Sequence, residues 1–320
     1  MDTEESNKGG GKPFIIANPI YDTVFKRLME NQRIAKFFLS TILDEQVEDI
    51  TVLPQEFTYK LDETKVSDKA GEKGKKGGIE YYAIFRLDFM ATVRDSGGSP
   101  RRILIELQKS WDTVDVMRFR RYLGEQYKRV DKIDGKETIL PITTIYILGK
   151  NLAGTDCPCV RAGRTYTDML NNTTIRAKSE FIENLTHDSY VIQAGRITDV
   201  RYTTNLGKLL SIFEQRYFIA EDSGARKEYP YQPDDENMKL ITDVLYEMGA
   251  DPRKRKEIED EEEALRVYNL QFGNLIESIK EKDKTIEENK KTIEEKDKEN
   301  AELKEKLAEL ERLLRDKQIE

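Results

Sequence analysis

Three features place this chain in the mixed α/β class with a helical tail. β-rich and helical runs alternate through residues 13–150. Residues 151–250 hold loops and apolar helical stretches, and residues 257–320 carry a long heptad of apolar positions. The expected domains are a disordered N-terminus at 1–12, an α/β core at 13–150, a mostly helical extension at 151–250 and a coiled coil at 257–320.

Asp22–Leu43 reads as one helix, with Val24, Phe25, Leu28, Ile34, Phe37, Phe38, Ile42 and Leu43 on a broad apolar face. Asp49–Lys60 is β-rich. Residues 62–79 are rich in Gly and Lys and lack a core pattern, which predicts a mobile loop. Glu80–Arg94 and Arg101–Lys109 are strong β formers flanking Asp-Ser-Gly-Gly, and predict a hairpin. Asp112–Asp131 reads as a charged helix. Thr138–Leu148 reads as a buried strand whose early pairing Pro141 limits. The order is helix, three-stranded meander, helix, strand. Further helices are expected near Arg176–Leu185, Asn205–Phe218 and Asn237–Met248.

In the tail, Leu265, Tyr268, Phe272, Leu275, Ile279, Ile286, Ile293, Leu303, Leu307, Leu310 and Leu314 recur at spacings that fit one seam. Lys282, Asn289, Lys296, Asn300 and Lys317 fill the remaining seam positions, and the flanks are almost wholly Glu, Lys and Asp. Such a segment predicts a self-associating coiled coil and a homodimer. The other reading is a single solvated helix held by Glu–Lys pairs one turn apart.

Composition narrows the chemistry. The chain has 320 residues, 36% of them charged, with a net charge of -8. Residues 251–320 hold 17 Lys/Arg against 22 Asp/Glu, so the tail carries -5 and the remainder only -3. A nucleic-acid partner must therefore meet a local basic patch and not a global field. The single histidine, His187, excludes multi-His zinc sites. The two cysteines, Cys157 and Cys159, are too few for a disulfide framework, which fits a reducing, cytoplasmic setting. No run of the sequence is apolar enough for a membrane span, and Met1–Lys12 lacks the apolar stretch of a secretory signal.

The predicted hairpin concentrates the candidate chemistry. Asp88 lies inside the apolar run Ile84–Val93, and Glu106 and Gln108 lie inside Ile103–Gln108. A carboxylate in a central strand is costly unless paired, hydrogen-bonded or metal-bound. Two of them on adjacent strands repel unless a cation lies between them. Strand alternation sets Glu106 and Gln108 on one face and Leu107 and Lys109 on the other. An Asp and a Glu with a backbone carbonyl form an oxygen-rich set that suits Mg²⁺ or Mn²⁺ better than zinc. The blander alternatives are a polar residue at a hairpin edge for Asp88 and an exposed edge face for Glu106 and Gln108. Asp22 fits either a catalytic helix or a favourable charge in a first helical turn.

These motifs resemble the PD-(D/E)XK nuclease superfamily, and most closely its transposase-related, recombination-promoting branch. The matching residues are Asp22-Thr23-Val24-Phe25-Lys26, Leu87-Asp88-Phe89, Ile105-Glu106-Leu107-Gln108 and the helix Arg118-Phe119-Arg120-Arg121-Tyr122 running on to Tyr127. The resemblance covers residues 18–150. It implies a restriction-endonuclease-like core and a Mg²⁺-dependent DNA endonuclease. Asp88, Glu106 and the Leu107 carbonyl would hold the ion, and Asp22 a second ion or a metal water. Gln108 stands where the wider superfamily has lysine, and an amide brings no positive charge. Lys26, one turn beyond Asp22, is the candidate to supply that cation. The loop lysines Lys65, Lys69, Lys73, Lys75 and Lys76 offer a basic arm. The competing expectation is a degenerate nuclease fold serving as a coiled-coil scaffold.

Overall fold

The computed structural model describes residues 14–53, 56–60, 82–86, 88–109, 116–133, 135–149, 151–198, 202–219 and 224–317. The chain divides into two units, Met1–Glu262 and Glu263–Glu320. In chain order the elements are β1 (Phe14–Ala17), α1 (Asp22–Met29), α2 (Gln32–Leu43), β2 (Val47–Val52), β3 (Glu56–Lys60), β4 (Tyr82–Arg86), β5 (Phe89–Asp95), β6 (Pro100–Gln108), α3 (Val116–Tyr127), β7 (Asp131–Ile133), β8 (Lys136–Thr138) and β9 (Ile142–Leu148). They continue with β10 (Cys159–Ala162), β11 (Tyr166–Asp168), β12 (Thr173–Ile175), α4 (Glu180–Leu185), β13 (Asp188–Gln193), α5 (Asn205–Ser211), β14 (Arg226–Tyr229), α6 (Glu236–Ala250) and α7 (Pro252–Lys317).

The centre is a six-stranded mixed sheet in the order β10-β13-β9-β6-β5-β2. β2, β5 and β6 form the antiparallel meander, and β9 returns parallel to β6 after α3. A parallel return needs a crossover, and α3 is the helix in it. β6 is buried along most of its length because helices cover both of its faces. On one face Phe89, Ala91, Ile103, Ile105, Leu107, Ile145 and Ile147 pack with Val24, Phe25, Phe38 and Leu39 of α1 and α2. On the other, Met90, Leu104 and Ile142 pack with Tyr122, Leu123 and Tyr127 of α3.

A buried ion pair fixes α3. Arg102 of β6 is fully buried, and its guanidinium donates to the Gln126 carbonyl at 3.1 Å and to the Asp131 carboxylate. Burial pushes the Arg102 pKa down to about 10, and nearby Arg129 adds to the effect.

Several expected elements divide. Asp22–Leu43 is two helices, because the Asn31 side chain caps α2 by accepting from the Arg33 and Ile34 amides. The Asp49–Lys60 run splits into β2 and β3, and β3 pairs with β4 outside the main sheet. The charged helix is shorter than 112–131, since Asp131 already begins β7. Residues 151–250 contribute strands as well as helices: β13 and β10 extend the main sheet, and β14 pairs with β1. Their short polar-apolar runs carry too little periodicity to announce strands. The loop at 62–79, its lysines, the N-terminal segment 1–12, Leu87 and Trp111 lie outside the described residues.

α7 belongs to the first unit for its opening turns. Ile258 is fully buried there. Expected seam residues Ile286, Ile293, Leu303 and Leu307 are 52–59% exposed. Among the described residues no helix is long and apolar enough to cross a membrane.

Candidate active site

β5 and β6 pair with Phe89 opposite Ile105. Asp88 immediately precedes β5 and lies outside its ladder with β6. Asp88 is half-buried, Glu106 is 4% exposed and Gln108 is 8% exposed. The Leu107 amide donates to Asp88 Oδ2 at 2.5 Å. The Asp88 carboxylate thus takes a ladder amide of β6, which explains why the expected Glu80–Arg94 strand does not run through this position. The N–H and C=O of one strand residue point to the same edge, so the Leu107 carbonyl lies on the Asp88 side.

On its other side β6 pairs with β9, placing Glu106 beside Tyr146 and Gln108 beside Leu148. Glu106 and Tyr146 thus lie side by side on β6 and β9, and Asp88 sits just before β5. Glu106 shares a narrow cleft with Tyr146, Thr144, Phe119 and Tyr122. The Phe119 and Tyr146 rings are 4.9 Å apart. Burial raises the Tyr146 pKa, and the Glu106 charge adds to that rise, so the phenol stays a hydrogen-bond donor. At the strand end the Gly149 amide donates to the Gln108 carbonyl at 2.8 Å. A Cβ on Gly149 would lie 2.9 Å from the Lys109 carbonyl oxygen, so only glycine lets the ends of β6 and β9 approach this closely.

Asp22 and Lys26 occupy a different cleft, lined also by Thr23, Arg27, Glu30, Met248, Lys254 and Glu257. Lys26 Nζ is 2.5 Å from Asp22 Oδ2, the pairing that their helical spacing predicts. The α1 N-terminus is capped from far along the chain: Glu261 accepts from the Asp22 and Thr23 amides at 2.8 and 2.9 Å. Its neighbour Glu262 pairs with Lys109, whose ammonium lies 3.5 Å from the centre of the Tyr21 ring. Burial pulls the Lys109 pKa down, and Glu262 opposes that pull.

The structure thus brings Asp88, Glu106 and Gln108 to one end of the hairpin and gathers Asp22, Lys26 and Lys109 around the start of α1. Among the described residues no group of three or more His, Cys, Asp or Glu side chains could hold a metal. The set at the hairpin is two carboxylates and a carbonyl. That donor chemistry fits Mg²⁺, which is commonly held by one or two carboxylates with waters and substrate phosphates completing the shell.

Sequence reasoning missed Tyr146 and the Glu261–Glu262 pair. Tyr146 was legible only as one aromatic in a buried strand, and the β6–β9 register makes it a neighbour of Glu106. His187 is half-buried, with Nδ1 2.8 Å from the Tyr127 hydroxyl. Cys157 and Cys159 are free thiols. Comparison with protein-family models, with curated proteins and with solved structures found no match.

Proposed function

We propose that this chain is a Mg²⁺-dependent endonuclease that hydrolyses phosphodiester bonds in DNA, with a restriction-endonuclease-like core. One observation carries the reading: at the end of a central hairpin the Asp88 carboxylate accepts the β6 amide of Leu107, the residue next to almost wholly buried Glu106. Asp88, Glu106 and the Leu107 carbonyl would hold the ion, Mg²⁺ or Mn²⁺. When bound, the ion lowers the pKa of a water and neutralises charge on the scissile phosphate. Asp88 is oriented by the Leu107 amide, and Tyr146 keeps its proton beside Glu106. Gln108, on the Glu106 face, would orient a water or a phosphate oxygen. The expected roles of Asp22 and Lys26, outer acid and missing cation, would have to be exercised from a separate cleft.

The test is nicking of supercoiled plasmid with Mg²⁺. Wild type should nick, while Asp88→Asn and Glu106→Gln should lose nearly all activity. Cleavage by the two variants at the wild-type rate would overturn the assignment. Unchanged cleavage by Lys26→Ala would remove Lys26 from the site and leave the other residues in place.

A second reading has its own observation, the exposed row Ile286, Ile293, Leu303 and Leu307 on α7. Apolar residues recurring along one helix seam favour association with a second copy as a coiled coil. In the enzyme reading a homodimer supplies a site for each strand of a duplex. In the alternative, the association is the working part and the nuclease fold is degenerate. Light-scattering mass of the full chain and of residues 1–262 tests the association, with a dimer expected for the first and a monomer for the second. The cut falls after Glu262 because Ile258, Glu261 and Glu262 are engaged with the body.

A further inference from the structure

The exposed seam of α7 is not uniform, and the order of its residues carries information about direction. Two columns make up the seam. Ile286, Ile293, Asn300 and Leu307 repeat every seven residues and form one of them. Lys282, Asn289, Lys296 and Leu303 form the other. All of these side chains are exposed in the unit Glu263–Glu320. A second copy of the chain can meet such a seam in either of two directions.

In a parallel, in-register pair each seam residue faces its own copy. Lys282 then meets the partner's Lys282, and Lys296 the partner's Lys296, which puts two layers of like charge into the seam. In an antiparallel pair one column faces the other. Setting Asn289 against the partner's Asn300 fixes the remaining layers. Ile286 then meets the partner's Leu303, Lys296 the partner's Ile293 and Lys282 the partner's Leu307. No lysine faces a lysine, and the asparagine amides can bond to each other. Each lysine can lay its alkyl stem along an apolar side chain and keep its ammonium in water. The flanks agree with this register. Lys290 and the partner's Asp297 lie on one side of the seam, beside the Asn289 and Ile293 layers. Asp283 and the partner's Lys304 stand in the same relation by position in the sequence. The two-fold repeats both pairs, giving four pairs of opposite charge. The other flank sets Thr285 and Thr292 against the partner's Lys306 and Glu299. Over the same positions the parallel register keeps only Glu299 with the partner's Lys304, and it sets Lys290 and Asp297 against threonines.

We propose that two copies of this chain join through α7 as an antiparallel coiled coil centred between Glu294 and Glu295. The inference rests on the self-association read above and gives it a direction and a register. At about 1.5 Å of rise per residue, the two Glu263 positions stand roughly 95 Å apart along such a rod. The dimer therefore carries one body, with its candidate site, at each end. A parallel rod would bring both bodies to the same end.

Disulfide trapping on the full chain reads the direction. Asn289→Cys and Asn300→Cys are introduced separately into chains carrying Cys157→Ser and Cys159→Ser, and a tag on one makes the two distinguishable by mass. In the proposed register Asn289 faces the partner's Asn300. Like positions are then eleven residues out of step, about 16 Å along the axis and well past the Cα separation that a disulfide spans. Mixed in glutathione buffer, the two chains should give the mixed disulfide in at least about tenfold excess over either like disulfide. Predominant like disulfides overturn the antiparallel direction and retain the association. A dimer that traps neither kind overturns the register. A monomeric mass by light scattering at the trapping concentration overturns the association and the direction together.

Charge reversal tests the same pairing with the native cysteines in place. Lys290→Glu turns two of the flanking pairs repulsive and should weaken dimerisation by roughly five- to tenfold, read from mass against dilution. Adding Asp297→Lys restores opposite charges and should return the affinity to within about twofold of wild type. A parallel pair, with threonines opposite both positions, offers no such rescue. Failure of the second reversal to recover what the first removed overturns the register.

Discussion

Neutralising Glu106 offers a test of the proposed metal site that needs no turnover. The Leu107 amide holds Asp88 against β6 next to Glu106, a separation of the cross-strand kind, roughly 5 Å. Two unit charges at that separation repel by roughly 3 kcal/mol at an effective dielectric of about 20. The Leu107 amide offsets part of this for Asp88, a charged hydrogen bond of this kind contributing about 1.5–3 kcal/mol. Glu106→Gln removes the repulsion and keeps the shape. In EDTA it should raise unfolding stability by at most about 3 kcal/mol, the repulsion removed, since the Leu107 bond to Asp88 persists. Excess Mg²⁺ should stabilise wild type by about 2.7 kcal/mol at a hundredfold above its dissociation constant. For a unit of this size that is an upward shift in Tm of roughly 5–10 °C. Glu106→Gln should lose most of that shift. Thermal melts of both proteins, with EDTA and with MgCl₂, provide the four values. An equal Mg²⁺ shift in both proteins would refute the site. So would a loss of more than about 1 kcal/mol in EDTA, because Glu106 would then be a satisfied structural partner and not one of a repelling pair.

Other outcomes follow from single contacts. Gly149→Ala should separate the ends of β6 and β9, costing roughly 1–3 kcal/mol in urea unfolding and reducing any cleavage, because the added Cβ meets the backbone oxygen of Lys109 at 2.9 Å. Asp131→Ala leaves the buried Arg102 charge without its carboxylate and should cost about 3–5 kcal/mol by the same measurement, whereas Arg129→Ala should cost less than about 1. Glu261→Ala removes the acceptor of two α1 amides, with an expected loss of about 1–2 kcal/mol, and Glu261→Gln should lose less. Lys227 is fully buried with its ammonium on the carbonyls of Ser211, Ile212 and Glu214, and burial pushes its pKa down to about 7. The unfolded chain then binds the proton more tightly, so this group makes stability rise as pH increases from about 7 toward 10.5, by a few kcal/mol at most. Urea unfolding across that range should show the rise in wild type and lose it in Lys227→Met.

Much of the central architecture can be read from the chain alone. The Asp-Ser-Gly-Gly turn between two β-forming runs specifies the β5–β6 hairpin, because few other arrangements satisfy both the turn chemistry and the alternation. The apolar face of Asp22–Leu43 marks a buried helical segment, but its division at Asn31 is settled by a side chain capping amides, which apolar periodicity does not report. Carboxylates inside apolar runs singled out Asp88 and Glu106, since burying a charge is costly enough to need a reason.

What sequence could not supply is distance between residues far apart in the chain. Strand register between β6 and β9 puts Tyr146 beside Glu106, and a hydrogen bond from the Leu107 amide holds Asp88 against the same end of β6. Folding also brings Glu261, 239 residues beyond Asp22, onto the first turn of α1. The sequence by itself determined which residues are apolar, which turns are tight and which carboxylates are out of place, because these are local properties of side chains and backbone. The tertiary structure alone decided that Asp22 and Lys26 share a cleft apart from Glu106, and that α3 lays Phe119 over the Glu106 cleft. Those depend on packing across the sheet, where contacts are set by the whole fold and not by spacing along the chain.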